Sequence, residues 1–325
     1  MKRRAIFVLA GLLASLHMLV ASFAPAEAGP LRRWLMHRQA GNESDSSDGY
    51  GPAFNNLTCD KFATMAHRAG SHKTSLQPAY TATYGADKAQ SLDVYAPTES
   101  TAPAPIIVMV HGGAWCVGDK AMDKVVTNKA DRWVAKGFIF VSANYRMVPD
   151  KADALTQASD VARAIAYVET NAAQWNGNPS EIIVMGHSAG AHLVSLLSSS
   201  PALADKYGAK PWLGTVSLDS GSLNVPQTMQ HQHPLFYDDA FGKEPSLWAE
   251  ASPMEHLSTA SLPWFGVCST QRRGSCPQAH AYAQQAAKYG VKSDVLEEDL
   301  THSEINDRLG VPGDYTFAVE SFMAS

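Results

Sequence analysis

Gly186-His187-Ser188-Ala189-Gly190 stands between an apolar run, Ile182-Ile183-Val184-Met185, and Ala191-His192-Leu193-Val194-Ser195-Leu196-Leu197, which reads as a helix. Strand, sharp turn and helix with a serine at the apex is the arrangement in which a Gly-x-Ser-x-Gly stretch presents a nucleophile. The two glycines have a steric reason. The turn strains the serine backbone and brings strand and helix close together, so side chains at 186 and 190 would collide with their surroundings. The same turn lifts the Ser188 hydroxyl clear of the strand. It also sets a helix N-terminus, with its partial positive charge, beside any negative charge that develops there.

Two further stretches fit that reading. The continuous apolar run 105–110 reads as a buried parallel strand and ends in His111-Gly112-Gly113-Ala114-Trp115. A paired-glycine loop lets backbone N–H groups approach a ligand, so Gly112 and Gly113 are candidate oxyanion donors, joined by the N–H of Ala189. Near the end of the chain, His302 follows the strand pattern 293–297. It comes last in chain order among the histidines, where a serine's general base is expected in this strand–turn–helix arrangement. His231-x-His233 lacks a third ligand at a recognisable spacing, so no metal site is expected.

With these motifs in place the chain resembles the α/β-hydrolase superfamily, in its carboxylesterase branch with an HGG oxyanion loop. That branch takes in hormone-sensitive-lipase-like, feruloyl-esterase-like and kynurenine-formamidase-like hydrolases. Ser91-Leu92-Asp93-Val94-Tyr95-Ala96-Pro97 is similar to an early strand of that family. Ala143-Asn144-Tyr145-Arg146-Met147-Val148-Pro149 is similar to the stretch after a later strand, and Trp175-Asn176-Gly177-Asn178-Pro179 to the turn before the serine strand. The resemblance runs over roughly residues 76–320. It implies an acyl-enzyme mechanism with Ser188 and His302, no cofactor, and a small-molecule ester substrate.

The chain departs from the family over the acid, which usually follows the seventh strand. Here no Asp or Glu lies between Glu255 and Asp294. An imidazole with no orienting acceptor loses control of its tautomer. Asp219, after the sixth strand pattern, is the best substitute. Its competing reading is a turn or helix cap in Asp-Ser-Gly. Asp299, Glu304 and Ser269 are the rivals for the role.

Residues 1–28 read as a signal peptide, with basic Lys2-Arg3-Arg4, an apolar stretch and Ala26-Glu27-Ala28. Residues 31–38 could form a short helix, 41–49 read as linker, and 29–56 together as a flexible N-terminal segment. The hydrolase-like domain is placed at 57–325. Export to the periplasm or the extracellular space makes disulfides relevant for Cys59, Cys116, Cys268 and Cys276. A Cys268–Cys276 bridge with Cys59–Cys116 is the favoured set, but three pairings remain open. Net charge is −5 with mixed signs, which argues against a nucleic-acid partner. No stretch after the signal is long and apolar enough to span a bilayer. Oligomeric state is not legible.

The alternation of patterns predicts a mostly parallel eight-stranded sheet with helices on both faces. Residues 221–258 are expected to form a small cap or long loop; Trp115 reads first as an ordinary packed aromatic, with an apolar wall near the acyl site as its functional alternative. The expected activity is hydrolysis of carboxylic esters by an exported serine hydrolase. Arylformamidase-type amide hydrolysis, or a decayed binding protein on the same fold, are the alternatives.

Overall fold

The computed structural model describes residues 55–69, 72–98 and 102–325. The signal segment 1–28, the helix over 31–38 and the linker 41–49 lie outside the described residues. The sheet has eight strands: β1 (Tyr80–Thr83), β2 (Ser91–Tyr95), β3 (Ala104–Val110), β4 (Ile139–Ala143), β5 (Gly177–His187), β6 (Gly214–Leu218), β7 (Trp264–Ser269) and β8 (Ser293–Glu298). Their order is β1-β2-β4-β3-β5-β6-β7-β8. β1 and β2 are antiparallel to their neighbours, and every other pairing is parallel. This is the α/β architecture expected from the sequence.

The central strands are apolar on both faces because both faces are covered. Ile106, Val108 and Val110 of β3 belong to one buried cluster, whereas Ile107 and Met109 belong to another. That is the period-two alternation of a strand read from two sides. On the first side lie α1 (Cys59–Ala69) through its Cys59, α3 (Ala154–Asn171) and α4 (Ala189–Ser199); on the second lie α2 (Asp123–Ala135) and α11 (Asp314–Met323). A third cluster packs α9 (Ser275–Ala287) against β7 through Trp264, Tyr282 and Cys268.

Four departures from the sequence reading have physical causes. β5 begins at Gly177 rather than 182, because its polar first residues still pair with β3 through Ala104. Helix α1 is amphipathic, with Cys59, Phe62 and Ala66 on its sheltered face, a short pattern that the sequence reading passed over. It is held by the Cys59–Cys116 disulfide and by the Asp239 carboxylate, which accepts the Cys59 N–H at 2.8 Å. After α5 (Pro201–Asp205), the segment 221–258 contains three short helices: α6 (Val225–Gln230), α7 (Leu235–Phe241) and α8 (Pro245–Glu250). They are too short for periodicity to show, yet Phe236, Tyr237 and Phe241 enter the main buried cluster. Finally, α10 (His302–Asp307) starts at the candidate base, where Thr301 and Glu304 form a capping box.

Candidate active site

Ser188 sits between β5 and α4 with φ 55° and ψ −117°, a strained conformation for a residue with a side chain. The flanking glycines make it possible. A Cβ on Gly186 would lie 2.4 Å from the Gly190 carbonyl oxygen, and one on Gly190 would lie 2.3 Å from that of Val110. Both obstacles are backbone and cannot move aside. Ser188 is also tied to the neighbouring turn: its N–H donates to Leu218 O at 2.9 Å, and its carbonyl accepts the Gly221 N–H at 2.9 Å.

That neighbouring turn carries Asp219, at the end of β6. Asp219 has φ 48°, and its N–H donates to Val267 O on β7 at 2.7 Å. His302 joins the two residues. Its Nε2 lies 2.9 Å from Ser188 Oγ and its Nδ1 2.5 Å from Asp219 Oδ2. The carboxylate accepts only if Nδ1 carries the proton, which leaves Nε2 free to accept from the serine hydroxyl. Serine, imidazole and carboxylate thus form one hydrogen-bonded chain, assembled from residues distant in sequence.

Burial would raise the Asp219 carboxyl. The Arg272 guanidinium, then the hydrogen bonds from His302 and Ser275, overcome that and hold it well below the usual carboxylate range. His302 is lowered from its ordinary value, first by burial; the hydrogen bond to Asp219 opposes this, and the nearby Arg272 cation adds to it. His187 packs its ring on that of His302, with centroids 4.6 Å apart, and its Nε2 lies 2.9 Å from His302 O. Burial holds the His187 pKa well below the usual histidine range, so the ring is neutral and its Nε2–H donates to His302 O, steadying the backbone of His302.

The rivals for the acid are engaged elsewhere. Glu304 bonds Thr301, Asp299 bonds Gln271, and Ser269 Oγ donates to Leu300 O at 2.5 Å. Ser269 does contribute: its N–H donates to Asp219 Oδ1 at 3.1 Å. His231 and His233 bond nearby carbonyls on the surface, and among the described residues no three His, Cys, Asp or Glu side chains gather as metal ligands.

Gly112 passes directly beside Ser188. A Cβ there would be 2.8 Å from Ser188 Cβ and 2.8 Å from His187 O. Gly113 has φ +128°, and its carbonyl turns away to accept the N–H groups of Cys116 and Val117 at 3.0 and 3.1 Å. Among the described residues no backbone acceptor takes the N–H of Gly113 or Ala189. Tyr145 stacks on buried His111 and donates to His111 O at 2.8 Å, bracing the start of this loop. The Cys59–Cys116 bond ties its far end to α1.

Trp115 takes the packing role, not that of a wall: its side chain is 1% exposed, with edge contacts to His192, Tyr237 and Phe241. It also fills the space beside Gly221, where a Cβ would meet the indole at 2.9 Å. The loop after β7 holds a residue that sequence reading passed over. Cys268 and Cys276 are bonded, and between them Arg272 reaches back to Asp219. The cysteine bracket marked the loop, but nothing in the sequence marked the arginine as buried.

The fold is the α/β-hydrolase fold. Residues 92–209, from β2 past α4, match the BD-FAE family model, which bears out the resemblance read from the motifs over that stretch. Esterase LipQ of Mycobacterium tuberculosis is 30% identical over 195 residues, covering 57% of this chain and 45% of that protein. A probable isoprenylcysteine alpha-carbonyl methylesterase of Arabidopsis thaliana, ICMEL1, is 26% identical over 243 residues, covering 68% of this chain and 50% of that one. The chain thus spans about half the length of these curated relatives. Among solved structures, a truncated carbohydrate esterase from gut microbiota superposes with a TM-score of 0.63 at 18% identity, over 78% of this chain and 98% of that one. Est2, an esterase of Thermogutta terrifontis, gives a TM-score of 0.63 at 17% identity, over 80% and 96%. At such identities these likenesses concern the fold.

Proposed function

We propose that the protein is an exported serine hydrolase that cleaves small carboxylic esters through an acyl-enzyme. One observation carries this reading: Ser188 Oγ, His302 and Asp219 are linked by contacts of 2.9 and 2.5 Å. Neutral His302 takes the Ser188 proton at Nε2 as the oxygen attacks the ester carbonyl carbon. Asp219 holds the Nδ1 proton and stabilises the imidazolium. The carbonyl oxygen becomes an oxyanion facing the N–H groups of Gly112, Gly113 and Ala189, at the N-terminus of α4. His302 then gives its proton to the leaving alkoxide and the acyl-enzyme remains. Water, deprotonated by the same nitrogen, attacks the acyl carbon, and as the bond to Ser188 breaks His302 returns that proton to Oγ and the acid is released.

Esters are favoured over amides because the similar proteins are named esterases and methylesterases. The reading as a decayed binding protein drew on the lack of an acid after β7; the contact of Asp219 with His302 supports the hydrolase reading against it. Export rests on the signal-like N-terminus and fits the two disulfides. Among the described residues no helix is long and apolar enough to cross a membrane. The test is hydrolysis of p-nitrophenyl acetate by the wild type and by Ser188→Ala. Turnover should fall by roughly 10⁴-fold or more in the variant; undiminished turnover in a folded variant removes Ser188 from the reaction.

A further inference from the structure

Arginine in a short polar loop ordinarily lies in water, but the Arg272 side chain is only 6% exposed and its partner Asp219 is fully buried. Arg272 Nε donates to Asp219 Oδ2 at 3.0 Å, the same oxygen that takes the His302 Nδ1 proton. Arg272 Nη2 donates to Asp219 Oδ1 at 3.2 Å and to Ser220 O at 2.5 Å. Ser275 Oγ and the Ser269 N–H complete the ring of donors on Oδ1. All of these donors come from the segment bracketed by Cys268 and Cys276.

From this we infer that Arg272 is a positioning residue for the proposed reaction: held in the disulfide-closed loop after β7, it fixes the carboxylate of Asp219 for His302. The loop that carries the acid in the family the chain resembles here carries the acid's clamp instead. A planar guanidinium fork fixes the carboxylate plane in a way that a single ammonium cannot. Fixing that plane aims Oδ2 at Nδ1, and so aims Nε2 at the serine. The cation has a second effect. Sharing an oxygen with the imidazole, it offsets the carboxylate's pull on the imidazolium and keeps His302 unprotonated to lower pH.

The groups around His302 are few. His187 on β5 is neutral, Asp219 and Arg272 are the charged pair, and Glu304 on its own helix is tied to Thr301. From α2, Lys124 bonds Ser303 and Lys129 bonds Asn306 O, and Tyr315 of α11 bonds Ile305 O. Of these, Arg272 is the cation on the acid itself.

The inference rests on the hydrolase reading, and its test separates the two. Arg272→Gln and Arg272→Lys are compared with the wild type in three ways. These are kcat and KM on p-nitrophenyl acetate, the titration of the His302 ring by NMR, and the resonance of its Nδ1 proton. In Arg272→Gln, kcat should fall roughly tenfold to a hundredfold with little change in KM. The His302 titration should move up by about half a pH unit or more, and the Nδ1 proton signal should broaden or shift. Arg272→Lys should restore the titration, while kcat stays at least about threefold low because the fork is lost. Both variants folded with wild-type kcat, titration and Nδ1 signal would overturn the inference. Should Arg272→Gln not fold, wild-type kcat and Nδ1 signal in Arg272→Lys would do the same. A wild type without esterase turnover would sink the hydrolase reading instead, and the two NMR readouts would still decide for or against Arg272.

Discussion

Asp219 reaches His302 from the strand next to that of the serine, with Oδ2 2.5 Å from Nδ1. The turns after β5 and β6 are hydrogen-bonded to each other on both sides of Ser188, through Leu218 and Gly221. A carboxylate just after β6 therefore lies beside the turn that carries Ser188. Asp219→Asn keeps the shape but loses the charge and favours the wrong imidazole tautomer. We expect kcat to fall by roughly 10³- to 10⁴-fold while the far-ultraviolet circular dichroism stays that of the wild type. A folded variant with near-normal turnover would transfer the acid's role elsewhere.

The pH profile should follow His302. Only the neutral imidazole accepts the serine proton, so kcat/KM rises with pH through the His302 pKa and then levels. Burial and the Arg272 cation lower that pKa from its ordinary value, about 6.5. The half-maximal point of the acid limb should therefore fall below about 6.5. An acid limb centred above pH 7 would contradict this assignment.

The serine turn makes a stability prediction independent of activity. Gly186→Ala and Gly190→Ala each force a Cβ to within 2.4 Å of backbone oxygen, and either should cost about 3 kcal/mol or more in urea unfolding. Gly137→Ala is the control. Gly137 has φ +88° but nothing within 4 Å of a new Cβ, so only backbone strain of about 1–2 kcal/mol is expected. Equal costs at all three positions would mean that close packing is not what demands the paired glycines.

Cys268 and Cys276 are separated by 8 residues, so opening the bond with a double serine variant should lower stability by about 2–3 kcal/mol on the loop-entropy account. Reductant should destabilise the wild type and leave that variant almost unaffected at this loop. An unchanged urea midpoint in the double variant would show that packing alone holds the β7 loop.

Much of this was legible in the sequence, for physical reasons. Buried parallel strands are apolar on both faces, so the runs ending at Val110, Ala143 and His187 stand out. The serine turn is legible because its sterics admit almost nothing but glycine at 186 and 190. The short helices of 225–250 are not, since one or two turns give no periodicity and are fixed by tertiary packing of Phe236, Tyr237 and Phe241. Asp219 was legible as one carboxylate among rivals. What separates it from a turn-capping aspartate is contact with His302 and Arg272, 83 and 53 residues away. Arg272 was not legible because a charged residue in a polar loop reads as solvated.

The central claim is that Ser188 is made nucleophilic by His302. Peptide-resolved mass spectrometry after treatment with a fluorophosphonate probe tests it most directly. The account predicts a single adduct on Ser188, formed rapidly by the wild type and at least a thousandfold more slowly by His302→Ala. A folded wild-type protein that leaves Ser188 unmodified, or that labels equally well without His302, would contradict it.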